Sequence, residues 1–347
     1  MTQAAGFPAE LGYRMPAEWE KQSAMWMSWP YNLETWDGHL EGAEKAFTEI
    51  ITHLSHVEHV HLLVPDAAIE KRAKKNLEAS PAVPANISIH HIESGDVWIR
   101  DYGPIFIKHQ KTDEIAWTDW EYNAYGGKWD DLLIGDSVPL QMPLSNLRRF
   151  DTRMILEGGS IDVNGTGSLL TTESCLLSPD RNPTLTKEQI EEMLKAYLGV
   201  TNVLWLKEGI AGDDTTGHVD DLTRFVGKST VVTVVEENSK DENYAPLQEN
   251  LRRLQHMKDE QGHPLTIIPL PMPKEFSVDG RRMAASYANF LIANGIVLVP
   301  TYAQDSDAVA LKTLAGCFPD RKVIGIDCRE LIWGYGSIHC ASQQQPA

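Results

Sequence analysis

SIDVNGTGSLLTT, residues 160–172, shows a design that recurs along this chain. Two runs of strand-forming residues flank Asn164-Gly165, a dipeptide typical of the tight turn in an antiparallel hairpin. Three further segments follow the same plan, namely FIKHQKTDEIAWTDW at 106–120, LTRFVGKSTVVTVV at 222–235 and NFLIANGIVLVP at 289–300. Four hairpins of one design favour a fold that is assembled from copies of one unit.

The spacing of the hairpins indicates an internal repeat. Their turn residues Asp113, Gly165, Lys228 and Gly295 lie 52, 63 and 67 residues apart. A chain of 347 residues has room for about five such units. The runs VEHVHLLVP at 57–65 and KVIGID at 322–327 are candidate strands for the missing unit. Apolar residues at intervals of three and four predict helices at 41–56, 66–79, 186–198, 243–257 and 305–316.

We therefore predict that residues 1–347 form one domain of the α+β class. In this domain, repeated αβ units form a closed ring. Thr186 and Gln189 form a capping-box pattern, and Gly199 is a helix stop signal. No linker rich in Pro, Gly or Ser divides the chain, and the prolines at 269–273 predict a short loop. The alternative is an ordinary doubly wound α/β protein whose hairpins are unrelated.

The composition restricts the partners. With 31 Lys and Arg against 49 Asp and Glu, the net charge of -18 disfavours nucleic acid and anionic membranes and favours a cationic ligand. Four cysteines without a Cys-x-x-Cys pair predict neither a disulfide framework nor a thiolate zinc site. The sequence has no run of about 18 apolar residues and no secretion-signal pattern at its start, so we expect a cytoplasmic protein without a membrane span.

Polar residues gather just before the hairpins and near the C-terminal end of the sequence. In a ring of equivalent units these positions meet at one end, and we expect a single site there. The candidate members of this site are Trp98, Asp101, Glu157, His218, Asp220, Asn289 and Cys340.

These residue types suit the hydrolysis of a guanidinium compound. A thiolate attacks an electrophilic carbon, and an imidazole protonates a departing amine and then activates water. Pairs of carboxylates accept the forked N–H donors of a planar guanidinium, which is positive at neutral pH. If His218-Val219-Asp220 lies in a strand, its two polar side chains share one face.

Each candidate also has a structural interpretation. Taken alone, Cys340 fits an inert buried thiol, His218 a hydrogen-bonded core histidine, and Asp101 a turn cap or a partner of Arg100. Glu157 before Gly158-Gly159 fits a turn acid. We interpret the following residues as structural or solvated: Asp96, Asp213, Asp214, Asp221, Cys175, Cys317 and Cys328.

The ordered motifs resemble the agmatine deiminases and the related Porphyromonas-type peptidyl-arginine deiminases, within the guanidino-group-modifying pentein superfamily. The resemblance covers nearly the whole chain, and its motifs are MPAEWEKQSAMWMSWP, DVWIRDYGPIFI, EGGSIDVNGTGSLLTTESCLL, GDDTTGHVDDLTRFV, SYANFLIANGIVLVPTY and GSIHCASQQQPA. It implies a five-bladed αβ propeller with pseudo-fivefold repeats and an active site on the axis.

By motif, the resemblance implies that Cys340 is the nucleophile, His218 the general acid and base, and Glu157 the residue that orients His218. The implied substrate-binding residues are Asp101, Asp220, Trp98 and Asn289. The implied reaction converts agmatine to N-carbamoylputrescine and ammonia through a covalent thiouronium, without a metal or organic cofactor. A homodimer is also expected. Two positions depart from the family pattern, Tyr335 in the glycine-rich approach to the cysteine and Thr216.

Several alternatives remain open at this stage. The same chemistry on peptidyl-arginine or free arginine is one, and free arginine needs a cation for its carboxylate, for which Arg224, Arg281 and Arg282 are candidates. Amidino transfer, with an amine in place of water, is another. A metal-dependent hydrolase would use His218 and Asp220 with Asp213 or Asp214. A polyamine-binding protein without turnover is the non-enzymatic alternative.

Overall fold

All four predicted hairpins are antiparallel strand pairs in a computed structural model, which describes residues 6–278 and 280–347. The pairs are Ile105–His109 with Ile115–Glu121, Asp162–Val163 with Ser168–Thr172, Thr223–Gly227 with Thr230–Val235, and Leu291–Ala293 with Ile296–Thr301. The fold as a whole is a mixed α+β fold.

One parallel strand extends each hairpin into a larger sheet. These strands are Arg148–Ile155, Asn202–Leu206, Thr266–Pro271 and Lys322–Asp327. Because a parallel partner cannot be reached by a tight turn, each connection is a crossover. Three crossovers contain the helices Lys187–Leu198, Tyr244–Leu254 and Asp305–Cys317. The remaining crossover contains the 3-10 segment Asp130–Ser137 and the short helix Val138–Gln141.

A fifth sheet joins the two ends of the sequence. Gln343–Pro346 pairs antiparallel with Gln22–Ser28, and His59–Val64 and Ile87–His91 extend the sheet in parallel. The prediction for this unit is correct for VEHVHLLVP and wrong for KVIGID, since Lys322–Asp327 pairs with Ile296–Thr301. The C-terminal QQQP segment takes the antiparallel position, and its polar composition carries no strand signal.

The helix predictions are confirmed, and their ends follow the expected chemistry. The helices in the predicted regions are Leu40–Ser55, Ala67–Glu78, Lys187–Leu198, Tyr244–Leu254 and Asp305–Cys317. Thr186 and Gln189 form the reciprocal capping box, and Gly199 ends its helix in the left-handed conformation. The short elements are Tyr13–Arg14, Pro84–Asn86, Ile99–Tyr102, Ala124–Gly127, Gly158–Ser160, Glu173–Leu176, Val219–Asp221, Ser277–Val278, Arg281–Arg282 and Ile332–Gly334.

The loop predicted at the prolines 269–273 is wrong for its first half. Pro269 and Pro271 lie in the strand Thr266–Pro271, opposite Thr233 and Val235. This strand is at the edge of its sheet, and an edge strand tolerates proline because half of its N–H groups have no strand partner. No helix among the described residues is long and apolar enough to cross a membrane.

Short helical turns carry the candidate site residues to the starts of the hairpins. Asp101 lies in the turn Ile99–Tyr102, which comes directly before the strand at Ile105. Glu157 precedes Gly158–Ser160, and Asp220 lies in Val219–Asp221. A Cβ at Gly158 would overlap the carbonyl oxygen of Arg100, so two of these turns are in direct backbone contact. The close packing of the turns requires glycine and brings their acidic residues together.

Gly199 provides a test of this type of close packing. Its φ of 67° is left-handed, and a Cβ there would also overlap the carbonyl oxygen of Tyr13. Gly295 is a matched control, with a φ of 75° and no atom within 4 Å of the added Cβ. We expect Gly295→Ala to lower the free energy of unfolding by about 1–2 kcal/mol, from backbone strain alone. Gly199→Ala should lose about 1–3 kcal/mol more in denaturant titrations, and equal losses would contradict the close contact.

Candidate active site

A cavity of about 160 Å³ contains the sulfur-bearing residue Cys340 among its lining residues. Asp101 and Trp98 also line it, and each of these three side chains is at most 5% exposed. The other charged lining residues comprise four acids and one base: Glu34, Asp96, Asp131, Asp214 and Arg281. The cavity therefore carries a strong excess of negative charge and suits a small cation.

The thiol of Cys340 lies among an amide and two carboxylates. Asn289 Nδ2 is 3.0 Å from the sulfur, and Asp220 Oδ2 is 3.6 Å from it. The same Asn289 nitrogen donates to Asp221 Oδ1 at 3.0 Å, and Asn289 Oδ1 accepts from the backbone N–H of His339 at 3.0 Å. Asn289 thus fixes the sulfur and a neighbouring carboxylate together, and it is completely buried behind the cavity.

His218 lies between two carboxylates in the interior. Its Nδ1 is 3.6 Å from Asp101 Oδ1, and its Nε2 is 4.0 Å from Glu157 Oε2. Neither ring nitrogen has a hydrogen-bond partner within the described residues. A Cβ at Gly159 would lie 2.6 Å from His218 Nδ1, 2.8 Å from Asp101 Oδ1 and 3.0 Å from Asp220 Oδ2. These three polar groups therefore converge on one point, which only glycine leaves open.

The local structure predicted at His218-Val219-Asp220 is wrong. The segment is a 3-10 turn over Val219–Asp221 with His218 at its N-terminal end, and it is not a strand. The cause is Asp213, whose carboxylate accepts from the backbone N–H groups of Thr215, Gly217 and His218 and curls the loop. Asp213 is therefore not a solvated loop residue, and its neighbour Asp214 lines the cavity.

Arg181 links Glu157 to the loop that carries His218. Its Nε donates to Glu157 Oε1 at 2.9 Å, and its Nη2 donates to the carbonyl oxygen of Thr215 at 2.8 Å. Both members of this ion pair are completely buried. The sulfur of Cys175 is 4.0 Å from Glu157 Oε2, so this buried thiol lies against the site. Sequence reasoning missed Arg181, because its partner Glu157 is 24 positions away in the sequence.

A second buried network supports Asp220 from behind. His339 Nδ1 lies 2.8 Å from Asp220 Oδ2, and His339 Nε2 lies 3.1 Å from Glu18 Oε2. Glu18 also pairs with Arg224, which contacts Asp162 as well. Sequence reasoning missed His339 and Glu18. His339 adjoins Cys340 and was recognisable by that position, whereas nothing local marks Glu18.

Burial and neighbouring charges set the protonation of the site. Burial raises the pKa of Asp101 to about 6, although His218 opposes the shift. Burial, Asp220 and Asp221 raise the pKa of the Cys340 thiol well above its ordinary value. Burial alone would lower the pKa of His218, but Asp101, Cys175 and Glu157 raise it well above its ordinary value. These shifts favour the thiol form of Cys340 and the imidazolium form of His218 at neutral pH.

Two groups of three donor side chains lie close enough to share a metal ion among the described residues. They are Glu157, Cys175 and His218, and Asp220, Asp221 and Cys340, and within each group the donor atoms are within 4.8 Å of one another. Neither group is the set of His218 and Asp220 with Asp213 or Asp214 that the metal-dependent alternative requires. Both groups use residues that surround the sulfur or the imidazole described above.

The seven residues predicted from sequence occupy one connected region. Three of them line the cavity, namely Trp98, Asp101 and Cys340. The other four are completely buried behind it, namely Glu157, His218, Asp220 and Asn289. Trp98 donates its indole N–H to Asp96 Oδ2 at 3.1 Å, so Asp96 fixes the ring that forms one wall.

A cavity thiol, a buried imidazole and converging carboxylates define a cysteine-based, enzyme-type site. The family model for the Porphyromonas-type peptidyl-arginine deiminases matches residues 14–346. This chain belongs to the Porphyromonas-type peptidyl-arginine deiminase family.

Relatives with names or solved structures extend over nearly the whole chain. A Streptococcus mutans protein, named provisionally as an agmatine deiminase, is 37% identical over 98% of this chain and 97% of its own. The agmatine deiminase of Enterococcus faecalis superimposes with a TM-score of 0.92 at 34% identity, over 100% of this chain and 99% of that one. A Porphyromonas gingivalis protein, named provisionally as an arginine deiminase, gives a TM-score of 0.87 at 37% identity, over 96% and 98% of the two chains.

Alkylation of Cys340 tests the electrostatics of the site. Because the thiol pKa is raised, iodoacetamide should modify Cys340 slowly at pH 8, and the rate should continue to rise above pH 9. Asp220→Asn removes an adjacent negative charge and should accelerate alkylation at pH 8, about tenfold for each unit by which the thiol pKa falls. Peptide-resolved mass spectrometry separates Cys340 from the other cysteines. Asp320→Asn, on the surface, is the control. An unchanged rate in Asp220→Asn would contradict this account.

Proposed function

We propose that this protein hydrolyses agmatine to N-carbamoylputrescine and ammonia, with Cys340 as the nucleophile. The observation that carries the proposal is the small acid-lined cavity with a thiol among its most buried lining residues. Agmatine is a cation at both ends, and the cavity offers carboxylates near the sulfur and further carboxylates along its walls. The names of the relatives from Streptococcus mutans and Enterococcus faecalis support the same substrate.

Asp101 and Asp220 are the proposed partners of the guanidinium. Their carboxylates flank the open point beside Gly159, and Asp220 Oδ1 is buried without a hydrogen-bond donor in the described residues. An orphaned buried carboxylate oxygen is costly, and a guanidinium N–H would satisfy it. The ring of Trp98 forms a wall of the same cavity and suits stacking on a planar cation.

The positive charge of the substrate prepares the nucleophile. A guanidinium that pairs with Asp101 and Asp220 offsets the charges that, together with burial, hold the Cys340 pKa high, so the thiol releases its proton to solvent when the substrate binds. The thiolate then forms a bond to the guanidinium carbon and produces a tetrahedral adduct. The imidazolium of His218 donates its proton to the departing nitrogen, the C–N bond breaks, and ammonia leaves.

Water completes the reaction at the resulting S-alkylthiouronium. His218, now neutral, accepts a proton from water as the oxygen attacks the same carbon. When the C–S bond breaks, the proton on that oxygen passes to the departing sulfur, and the ureido product leaves with the Cys340 thiol and the His218 imidazolium restored. Glu157 orients His218 from 4.0 Å, and Arg181 holds Glu157 in place. Asn289 holds the sulfur. This scheme uses side chains and water alone.

The five sheets suggest the arrangement that brings these residues together. Of the six sheets in the described residues, the five larger ones each combine an antiparallel pair with at least one parallel strand, and we propose that these five are the blades of a five-bladed αβ propeller in one catalytic domain over 1–347. The short turns that carry Asp101, Glu157 and Asp220 would then meet on the central axis. A homodimer and a cytoplasmic location remain predictions.

Free arginine is the second candidate substrate, because one cation lines the cavity. Arg281 is the lining residue that could meet a carboxylate, and the relative from Porphyromonas gingivalis is named for that substrate. The other two candidates are engaged, Arg224 with Glu18 and Asp162 and Arg282 with Asp241 and Glu242. A peptide substrate fits less well, since the cavity is smaller than the roughly 300 Å³ at which pockets for drug-sized ligands begin.

A comparison of substrates tests the proposal. Ammonia and ureido product are measured with agmatine, free arginine and a blocked arginyl peptide, for the native chain and for Cys340→Ala. We expect turnover of agmatine with the highest kcat/KM and a loss of at least about 10³-fold in Cys340→Ala, because the covalent step needs the thiolate. Cys317 is a half-buried thiol that does not line the cavity, so Cys317→Ala is the matched control and should retain native activity.

Four results would argue against the proposal. Preference for arginine or for the peptide would show that agmatine is not the main substrate. Turnover by Cys340→Ala would rule out the covalent mechanism. Binding of agmatine by the native chain in reducing buffer without ammonia release would favour a polyamine-binding protein. An added acceptor amine that captures the amidino group would indicate transfer in place of hydrolysis.

A further inference from the structure

Tyr335 has a backbone conformation that tyrosine rarely adopts. Its φ of 77° and ψ of -3° lie in the left-handed region, where a Cβ approaches the neighbouring carbonyl oxygen. Strained residues of this type persist where the surrounding structure determines them, and they concentrate at functional sites. Tyr335 also lines the cavity that contains Cys340. The contacts of the Tyr335 side chain in this cavity should therefore explain why the strained backbone is retained.

The neighbours of Tyr335 explain why the side chain stands at this position. A Cβ at Gly334 would lie 2.6 Å from Trp36 and 2.8 Å from Trp98, and one at Gly336 would overlap the Trp98 ring. Both glycines are needed because the backbone packs against these indoles. Position 335 is thus the place in Gly334-Tyr335-Gly336 where a side chain can project into the cavity.

The ring of Tyr335 contacts residues from two distant segments. The guanidinium carbon of Arg281 lies 3.1 Å from the ring centroid, and the ring of Trp129 lies 5.8 Å away, centroid to centroid. Trp129 in turn donates its indole N–H to Asp214 Oδ2 at 2.5 Å. We call these four residues the collar: Trp129, Asp214, Arg281 and Tyr335. All four line the cavity.

Exposure places the collar at the entrance of the cavity. Trp129 is 36% exposed, and Arg281 is exposed as well, whereas Asp101 and Cys340 are 3% exposed. A guanidinium at the sulfur therefore has its tail directed towards the collar. The aromatic faces and the Asp214 carboxylate suit an alkyl chain with a cationic end. A substituent beside that end, such as a carboxylate or an amide, has to displace the Tyr335 ring or the guanidinium stacked on it.

We propose that Tyr335 is a specificity-determining residue, which restricts the site to unbranched guanidinium compounds by holding the collar closed beside the substrate tail. The proposal rests on the deiminase function proposed above and names the residue that selects among its substrates. Tyr335 takes no part in bond making. Arg281 clamps the ring, and while it is stacked on Tyr335 it does not serve as the partner of a substrate carboxylate.

The test compares Tyr335→Asn with Tyr335→Phe. Asparagine tolerates the left-handed conformation and removes the ring, whereas phenylalanine keeps the ring and the strain. The measured quantity is the ratio of kcat/KM for agmatine to that for arginine. We expect this ratio to fall by about tenfold or more in Tyr335→Asn, which is the scale of discrimination by one pocket contact, and to stay within about twofold of native in Tyr335→Phe. Arg281→Gln should lower the ratio less than Tyr335→Asn.

Thermal unfolding and ligand binding keep the test decisive. The proposal is wrong if Tyr335→Asn has the same unfolding temperature as the native protein and the same ratio of kcat/KM values for agmatine and arginine. It is also wrong if the variant loses activity equally on both substrates, because Tyr335 then only fills space. If the native chain prefers arginine, the proposed agmatine function fails, and the collar is supported only if the ratio falls by a further factor of about ten in Tyr335→Asn, whereas a ratio that stays the same or rises contradicts it. If the native chain turns over neither compound, the ratio of the calorimetric affinities for agmatine and arginine replaces the kinetic ratio. It is measured for Cys340→Ser and for the double variant that also carries Tyr335→Asn, and the same fall is expected.

Discussion

The burial of several carboxylates around one thiol is the constraint on which this site depends. An ionised carboxylate in a protein interior costs several kcal/mol unless donors surround it, and Asp101, Glu157 and Asp220 are all buried. Each receives a different donor from a different part of the chain. Gly159 and Tyr125 donate to Asp101, Arg181 to Glu157, and His339 lies against Asp220. The donor set is incomplete, since one oxygen of Asp220 has no donor in the described chain.

The same constraint determines the backbone around the site. Carboxylates from separate segments converge only if their turns approach closely, and close approach excludes side chains at the contacts. Gly158 packs on the carbonyl of Arg100, and Gly159 faces His218, Asp101 and Asp220. A bulkier residue at either position would separate the charges from their donors. Gly158 and Gly159 thus allow the charged side chains and their donors to approach one another closely, and this role differs from that of a glycine in a flexible turn.

Local patterns predicted the parts of this protein whose interactions are local. The four hairpins, the capping box at Thr186 and the stop at Gly199 depend on neighbouring residues, and the structure has them. The seven predicted site residues lie in motifs that precede strands, and in the structure they occupy one region. Long-range pairings were missed. Glu18 lies 321 positions before His339, and the C-terminal strand pairs with the start of the chain without any apolar alternation of its own. The 3-10 turn at His218 was missed for a third reason, because a single carboxylate, Asp213, overrides the strand-like pattern.

Asp220 Oδ1 has no donor in the described residues, and the chain has a net charge of -18. Both observations favour a cationic ligand that carries N–H donors. Burial raises the pKa of the Cys340 thiol, and the neighbouring charges of Asp220 and Asp221 raise it further, so in the proposed mechanism the thiol is unreactive until a cation binds. A neutral or anionic ligand leaves this situation unchanged. A guanidinium supplies the absent N–H donors and the compensating charge together, and it carries the carbon to be attacked. In the proposed mechanism, selectivity for a cationic planar group follows from these electrostatics, because the carboxylates that would bind the guanidinium are also the charges that disfavour the thiolate in its absence.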